Sequence, residues 1–339
     1  MRFRTVIFEG TVGLSSIDDK QRTKDWAQSS LLFLACNHLY GKLELLLLGS
    51  VIRPMKTWLK YLELTKPRVT MLNIFVGIVT FLLAQFPSID FRSLGLFFVV
   101  AYLIAGGCGA LNCYLDKDTD KIMDRTSRRV IPTGAVSPRA ALVFGVSVLS
   151  VGLLVSYTIF NTLTLLMISF GAFVYLAVYT LWLKRRTPWN VVIGGISGSF
   201  AALSGWTAAC NCVSMIPVLI GFFDFLWTPG HLWSLAIRMV EQYRIARIPM
   251  LPVVFGVKRT TQYIFGFNMA TVGFSLIFPI LGLSGLLYLI VACVAGIKLL
   301  SDSYRLLVSP YKEYGMKLFM TSVPYLACVI ATLFVDKIV

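Results

Sequence analysis

Charge is what this 339-residue chain lacks. Asp, Glu, Lys and Arg make up 14% of it, where a soluble globular domain carries about 25%. So little charge cannot dress a water-facing surface, and a soluble enzyme is excluded. Acids are scarcer than bases, 16 against 31, for a formal charge of +15. A basic surplus is the usual footprint of nucleic-acid binding. Here a mean hydropathy of +0.77 leaves no polar face for a duplex, and no nucleic acid is expected as a partner. The seven cysteines include no C-x2-C pair and sit mostly inside apolar runs. They read as small apolar side chains and not as a zinc site, with a redox role as the alternative for Cys210 and Cys212, which flank Asn211 in a short loop.

What the chain has instead is apolar length. A membrane-spanning helix needs roughly 20 mostly apolar residues. Nine such runs follow one another from residue 55 onward, over 70–86, 95–115, 140–159, 163–183, 190–209, 213–236, 262–281, 284–302 and 320–338. The expected fold class is therefore an all-α integral membrane protein, a nine-transmembrane-helix bundle. The cations between the runs alternate in side. One face holds Lys56, Lys60, Lys66 and Arg68; Lys117, Lys121, Arg125, Arg128, Arg129 and Arg139; Lys184, Arg185 and Arg186; Arg238, Arg244, Arg247, Lys258 and Arg259; and Lys298, Arg305, Lys312 and Lys317. The opposite face holds Arg92 and Lys337. By the positive-inside rule the cation-rich face is cytoplasmic, so the bundle starts inside and ends with its C-terminus outside. The inward loops are mostly long and the outward turns short, which puts any chemistry on the cytoplasmic side of a cell-membrane, multi-pass protein.

Residues 1–54 stand apart. Asp18, Asp19, Lys20, Arg22, Lys24 and Asp25 look solvated, and His38, Lys42 and Glu44 interrupt the apolar run that follows. This stretch is either an N-terminal extension of uncertain order, including a start-site artefact, or an amphipathic arm lying on the membrane surface. Residues 55–339 form the nine-helix domain.

One inward loop concentrates acids and bases together. Asn112, Asp116, Asp120 and Asp124 stand four apart, and on a helix each step of four advances only about 40°, so neighbours share a face. An amide oxygen and carboxylates converging there make the hard donor set that magnesium prefers, with waters and phosphate oxygens completing its octahedron. Arg125, Arg128 and Arg129 follow at once, and guanidinium forks match phosphate oxygens. Acids at such a depth are costly unless paired or facing an aqueous cavity. Together these residues read as a magnesium–diphosphate site, and an isoprenoid diphosphate suits it, with a head for metal and arginine and a tail for apolar helices.

A second inward segment runs from Asp224 through Trp227, Pro229-Gly230-His231, Trp233 and Arg238 to Glu241-Gln242-Tyr243 and Pro249-Met-Leu-Pro252. Pro229-Gly230 is expected to break or kink the sixth span, leaving His231 and Trp233 to line the resulting cavity. His231 is either a hydrogen-bonded bundle histidine, a contact to a haem or aromatic acceptor, or a proton-handling group. Asp224 is an intramembrane acid, a site candidate or a helix-pairing group, and Glu241 is a candidate second metal carboxylate. The fifth span is rich in small residues from Gly194 to Gly205, for close packing or for a flat ligand. Lys66-Pro67-Arg68 is either a positive-inside anchor or a further phosphate contact.

The spacing Asn112-xxx-Asp116-xxx-Asp120 with its arginine continuation resembles the first aspartate motif of the UbiA superfamily of intramembrane prenyltransferases. More narrowly, the chain resembles the haem O synthase (protohaem IX farnesyltransferase) family. Four blocks carry that likeness: Leu64–Arg68; Asn112 through Met123-Asp-Arg-Thr126 to Pro138; Asn190 through Gly195 to Trp206; and Trp227 through Ile237 to Pro252. They cover roughly residues 56–339 in order and spacing. The resemblance implies a UbiA-type nine-helix bundle with a cytoplasm-facing active-site cavity. It implies transfer of a farnesyl group from farnesyl diphosphate to a vinyl group of haem B, with hydration and diphosphate release. Haem B is then a substrate, Mg2+ the cofactor, and membrane lipid the surrounding partner, with hand-over of product to haem A synthase or terminal oxidase assembly. Asn112, Asp116 and Asp120 would be catalytic and hold the metal together with Glu241. Arg125, Arg128 and Lys66 would bind the diphosphate, and His231, Trp233 and Tyr243 would lie along the substrate path. Two departures stand out, Gln242 where the family has an aspartate before the tyrosine, and Gly230 where it has a proline. The alternatives are a related prenyltransferase acting on a quinone precursor or lipid, and a cation transporter. A transporter would spread its acids over matching halves, whereas these cluster in one loop.

Overall fold

The computed structural model describes residues 56–339; the extension expected over 1–54 lies outside them. The described residues form helices only, nine of them long and apolar enough to cross a membrane. In chain order these are α1 (Thr57–Leu64), α2 (Pro67–Gln85), α3 (Phe91–Leu115), α4 (Lys117–Ile122), α5 (Pro138–Ile159), α6 (Thr162–Phe173, continued as a π-helix over Val174–Leu183), α7 (Asn190–Cys210), α8 (Met215–Arg238), α9 (Val240–Ile245), α10 (Leu251–Val254), α11 (Val257–Ser275), α12 (Ile277–Ile280), α13 (Leu286–Val308) and α14 (Lys312–Val335). The spans are α2, α3, α5, α6 with its π segment, α7, α8, α11 with α12, α13 and α14.

Local chemistry explains where the spans begin. Asp90 accepts from the Arg92 amide at 3.0 Å ahead of α3, Ser137 from the Ala140 amide at 3.2 Å ahead of α5, and Asn161 from the Thr164 amide at 2.8 Å ahead of α6. Each satisfies an amide that a helix start leaves unpaired. Proline opens α2 and α5, where its missing N–H costs nothing.

Within a bilayer no hydrophobic gain draws helices together, so close backbone approach must do it. At Gly205 in α7 a Cβ would stand 1.9 Å from the Gly77 carbonyl oxygen of α2. Helices α7 and α8 approach in the same way at Gly221, whose Cβ would meet Ser199 at 2.9 Å. In turn α8 packs on α11 and α14, and α14 returns to α2, so the bundle closes on itself.

Two sequence expectations need correction here. Helix α8 runs through Pro229-Gly230 without a break. Hydroxyl groups beside the proline bond nearby helix carbonyls, Thr228 donating to Asp224 O at 2.9 Å and Ser234 to Gly230 O at 2.6 Å. Neighbouring helices and such hydroxyls let a membrane helix keep a proline. Gly230 has a separate use, because Asn268 of α11 occupies the place a Cβ would take, with Oδ1 2.2 Å away. Cys210 and Cys212, read as apolar side chains, are joined as a disulfide across Asn211.

If backbone contact at Gly205 holds α2 to α7, Gly205→Leu should lose most of its folded yield in detergent. Gly266→Leu, where a Cβ meets nothing within 4 Å, should not. Size-exclusion chromatography with a thermal scan of both variants checks this.

Candidate active-site cavity

A cavity of about 420 Å³ lies among α2, α3, α6, α7 and α8, polar at one end and apolar along its depth. That volume is in the range of small-ligand sites. Asn112, Asp116 and Asp120 share its polar wall and are almost fully buried, at 4%, 3% and 5% exposure. Their common face survives the junction of α3 and α4, because the backbone keeps its helical bonds there, Asp116 N to Asn112 O at 2.9 Å and Asp120 N to Asp116 O at 2.8 Å. Past Ile122 the helix stops, with Met123 extended. Asp124 consequently leaves the shared face and accepts a 2.8 Å bond from the Gln242 amide on α9, which ties the segment after α4 to α9.

Each residue of the trio meets a cation through one oxygen. Lys184 Nζ lies 2.5 Å from Asp116 Oδ2, and Arg129 2.6 Å from Asp120 Oδ2. Lys66 donates to Asn112 Oδ1, while the Asn112 amide donates to Thr180 Oγ1 at 3.0 Å, fixing which way the amide points. Two local devices bring these cations in. The Thr65–Lys66 elbow between α1 and α2 puts Lys66 in the left-handed region, at φ 51°, a conformation costing about 1–2 kcal/mol for a non-glycine residue. Gly106 and Gly109 of α3 make room for it, since Cβ atoms there would meet Thr65 at 3.1 and 2.9 Å. The second device is the π segment of α6. Its wider turn ends with Lys184 N bonded to Tyr179 O at 2.9 Å, five residues back, and π turns recur at functional sites. It lines the cavity with Tyr175, Tyr179 and Lys184.

Four cations (Lys66, Arg125, Arg129 and Lys184) and two carboxylates line the polar end. The positive surplus suits a polyanion. Burial holds the Lys66 ammonium below the ordinary lysine range and pushes the Tyr243 hydroxyl above its own. Among the described residues no three His, Cys, Asp or Glu side chains form an all-protein metal cage. The oxygens of Asn112, Asp116 and Asp120 nonetheless fit magnesium. They are hard donors, too few to enclose the ion, already facing positive charge, and phosphate oxygens and water commonly fill its remaining positions.

Not every expected residue reaches the cavity. Lys66, Asn112, Asp116, Asp120, Arg125, His231 and Tyr243 line it. Arg128 is exposed and outside the lining, because the turn after Ile122 breaks the helical register; Arg129 takes the inward place. Glu241 is exposed and pairs with Arg244 on the outside of α9, so it supplies no carboxylate to the trio. Trp233 is fully buried against Trp189, Tyr263 and Phe267. Two residues past His231, it sits about 200° around α8 and points away. Residues not singled out by sequence complete the site. Lys184 had read as a topogenic cation like Arg185, which bonds the Leu115 carbonyl at 3.3 Å and Thr119 at 3.2 Å. Thr180, which accepts from the Asn112 amide, gave no signal. Asp224 lines the apolar part of the cavity and pairs with no cation among the described residues.

Residues 71–323 match the UbiA prenyltransferase family. Protoheme IX farnesyltransferase 1 of Cenarchaeum symbiosum is 37% identical over 81% of this chain and 94% of its own length. The protoheme IX farnesyltransferase of Neorickettsia sennetsu is 38% identical over 81% and 91%. Among solved structures, a digeranylgeranylglyceryl phosphate synthase superposes with TM-score 0.68 at 24% identity, over 84% of this chain and 99% of that one. A UbiA homolog from Archaeoglobus fulgidus bound to DMAPP and Mg2+ gives 0.60 at 17%, over 80% and 99%. At these identities the two structures show a common fold.

Removing one partner of a buried ion pair costs roughly 3–5 kcal/mol. Lys184→Met should therefore lower the unfolding midpoint in EDTA, and added Mg2+ should narrow the gap to the wild type. An equal gap with and without Mg2+ would show that no divalent cation takes the place of the lysine beside Asp116.

Proposed function

The chain belongs to the UbiA prenyltransferase family, and we propose that within it the protein acts as a protohaem IX farnesyltransferase, converting haem B to haem O. A farnesyl group passes from farnesyl diphosphate to a porphyrin vinyl group, with addition of water and release of diphosphate. The observation that carries this reading is one cavity with a cation-surplus end and an apolar interior, in a chain whose 37–38% identical relatives bear that activity's name along nearly their whole length.

Lys66, Arg125 and Arg129 receive the diphosphate at the polar end, with Lys184 alongside. Their charges meet the negative charge that grows on the leaving group, which is where preorganised electrostatics lowers a barrier most. Asn112, Asp116 and Asp120 would hold Mg2+, whose charge adds to that stabilisation when it is bound. The C–O bond to farnesyl C1 breaks with its electron pair leaving on the diphosphate. The vinyl π pair closes the new C–C bond, and water captures the cation left beside the porphyrin, its surplus proton passing to solvent. The isoprenoid tail lies along Val76, Phe97, Ile104 and Ile168, which line the apolar depth and keep water from the allylic centre. His231 and Tyr243, both in the lining, face the acceptor.

The cation-rich loops are cytoplasmic, and both substrates enter from that side of a cell membrane. The product, still lipid-soluble, passes to haem A synthase or to terminal oxidase assembly. Purified protein given haem B, farnesyl diphosphate and Mg2+ should yield haem O by mass spectrometry. Asp116→Asn should keep the folded bundle and lose transfer by about a hundredfold or more; an undiminished rate would sink the role given to Asp116.

A further inference from the structure

His231 is held on three sides. Its ring lies between those of Trp227 and Phe319, with both centroids 4.3 Å away and interplanar angles of 17° and 22°. On the third side Nδ1 is 2.7 Å from Ser322 Oγ of α14. The Ser322 hydroxyl is also 2.8 Å from the Phe319 carbonyl oxygen. A carbonyl oxygen has no proton to give, so the single serine proton points to Phe319. With that proton on the Phe319 carbonyl, Ser322 Oγ is left as the acceptor for Nδ1, the pattern of an Nδ1–H tautomer. The Trp227 indole donates to the Ser322 carbonyl at 2.8 Å and fastens the same turn of α14 to α8. The stacked rings prevent the imidazole from rotating to exchange its nitrogens. Nε2 has no hydrogen-bond partner among the described residues, and His231 lines the cavity.

We propose that Ser322 is a positioning residue that sets the tautomer of His231, so that Nε2 offers its lone pair to the iron of the porphyrin substrate. The iron contact rests on the haem B reading above; the control of the tautomer does not. No bond of the transfer reaction is made by Ser322. It acts as outer partners of ligating histidines do, by fixing which nitrogen is free and how the ring is aimed. The face of the acceptor is thereby anchored from α8 while its vinyl edge meets the prenyl chain.

The tautomer is read without haem. The full chain, labelled with 15N-histidine and held in nanodiscs, carries only His38 and His231, and a His231→Gln sample assigns the two signals. The wild type is expected to show a protonated Nδ1 and a bare Nε2 at His231. In Ser322→Ala the Nε2–H form should dominate, and Ser322→Thr, which keeps the hydroxyl, should restore the first pattern. A wild type with Nε2–H, or no change in Ser322→Ala, overturns the proposal. Titration with haem B should then show roughly tenfold weaker binding in Ser322→Ala, with the KM for farnesyl diphosphate unchanged; equal haem affinity overturns the iron contact. A wild type with the expected tautomer that neither binds nor prenylates haem B would overturn the acceptor reading and the iron contact together, and leave Ser322 as the determinant of the tautomer.

Discussion

Two carboxylates kept out of water at the end of α3 set the terms for everything around them. A buried charge without a partner is among the most costly features a protein can hold, and in this chain Asp116 and Asp120 are at once buried and essential to the wall of the cavity. Each is answered from a different part of the sequence, Asp116 by Lys184 at the end of the π segment and Asp120 by Arg129 in the loop after α4. Asn112 is answered by Lys66 from the left-handed elbow before α2. The irregular backbone of the bundle is thus found where a cation has to be delivered. Once these cations are in place the polar end carries more positive than negative charge, which is the condition for holding a diphosphate.

Glycine does the complementary work. Gly106 and Gly109 admit the elbow that carries Lys66, and Gly205 lets α7 rest against the backbone of α2. Gly194 and Gly198 line the cavity itself, where Cβ atoms would meet Tyr179 at 2.5 Å and Asp224 at 2.2 Å. The small residues of α7 therefore pack tightly along its length, against α2 at Gly205 and against Tyr179 and Asp224 at Gly194 and Gly198. Apolar area alone could not have organised these helices, since lipid solvates it as well as a neighbouring helix does.

The sequence legibly specified most of the architecture. Among the described residues the nine apolar runs became nine span-length helices, most ends shifted by a few residues, α13 ending six later and α14 starting eight earlier, because span length is dictated by bilayer thickness and backbone satisfaction leaves helix as the single choice for such runs. The trio Asn112, Asp116 and Asp120 was legible because a spacing of four on a helix fixes a shared face. Asp124, Arg128, Glu241 and Trp233 were not placed by the same logic. Helical periodicity holds only while the helix lasts, and it ends at Ile122, so Asp124 turned to Gln242 and Arg129 displaced Arg128. Glu241 faced out with Arg244, and Trp233 lay across α8 from His231.

What the amino-acid sequence determined by itself was chemistry and topography: a membrane bundle, a cation-rich side, a hard-oxygen trio near the membrane surface and a histidine beside a proline. These follow from local rules of length, charge and period. The tertiary structure decided which cation meets which carboxylate, that α8 stays whole through Pro229, and that Ser322 and Phe319 of α14, about ninety residues away in sequence, meet the His231 ring. Such pairings depend on helices that approach only after the chain has folded, and no spacing along the chain encodes the distance between α8 and α14.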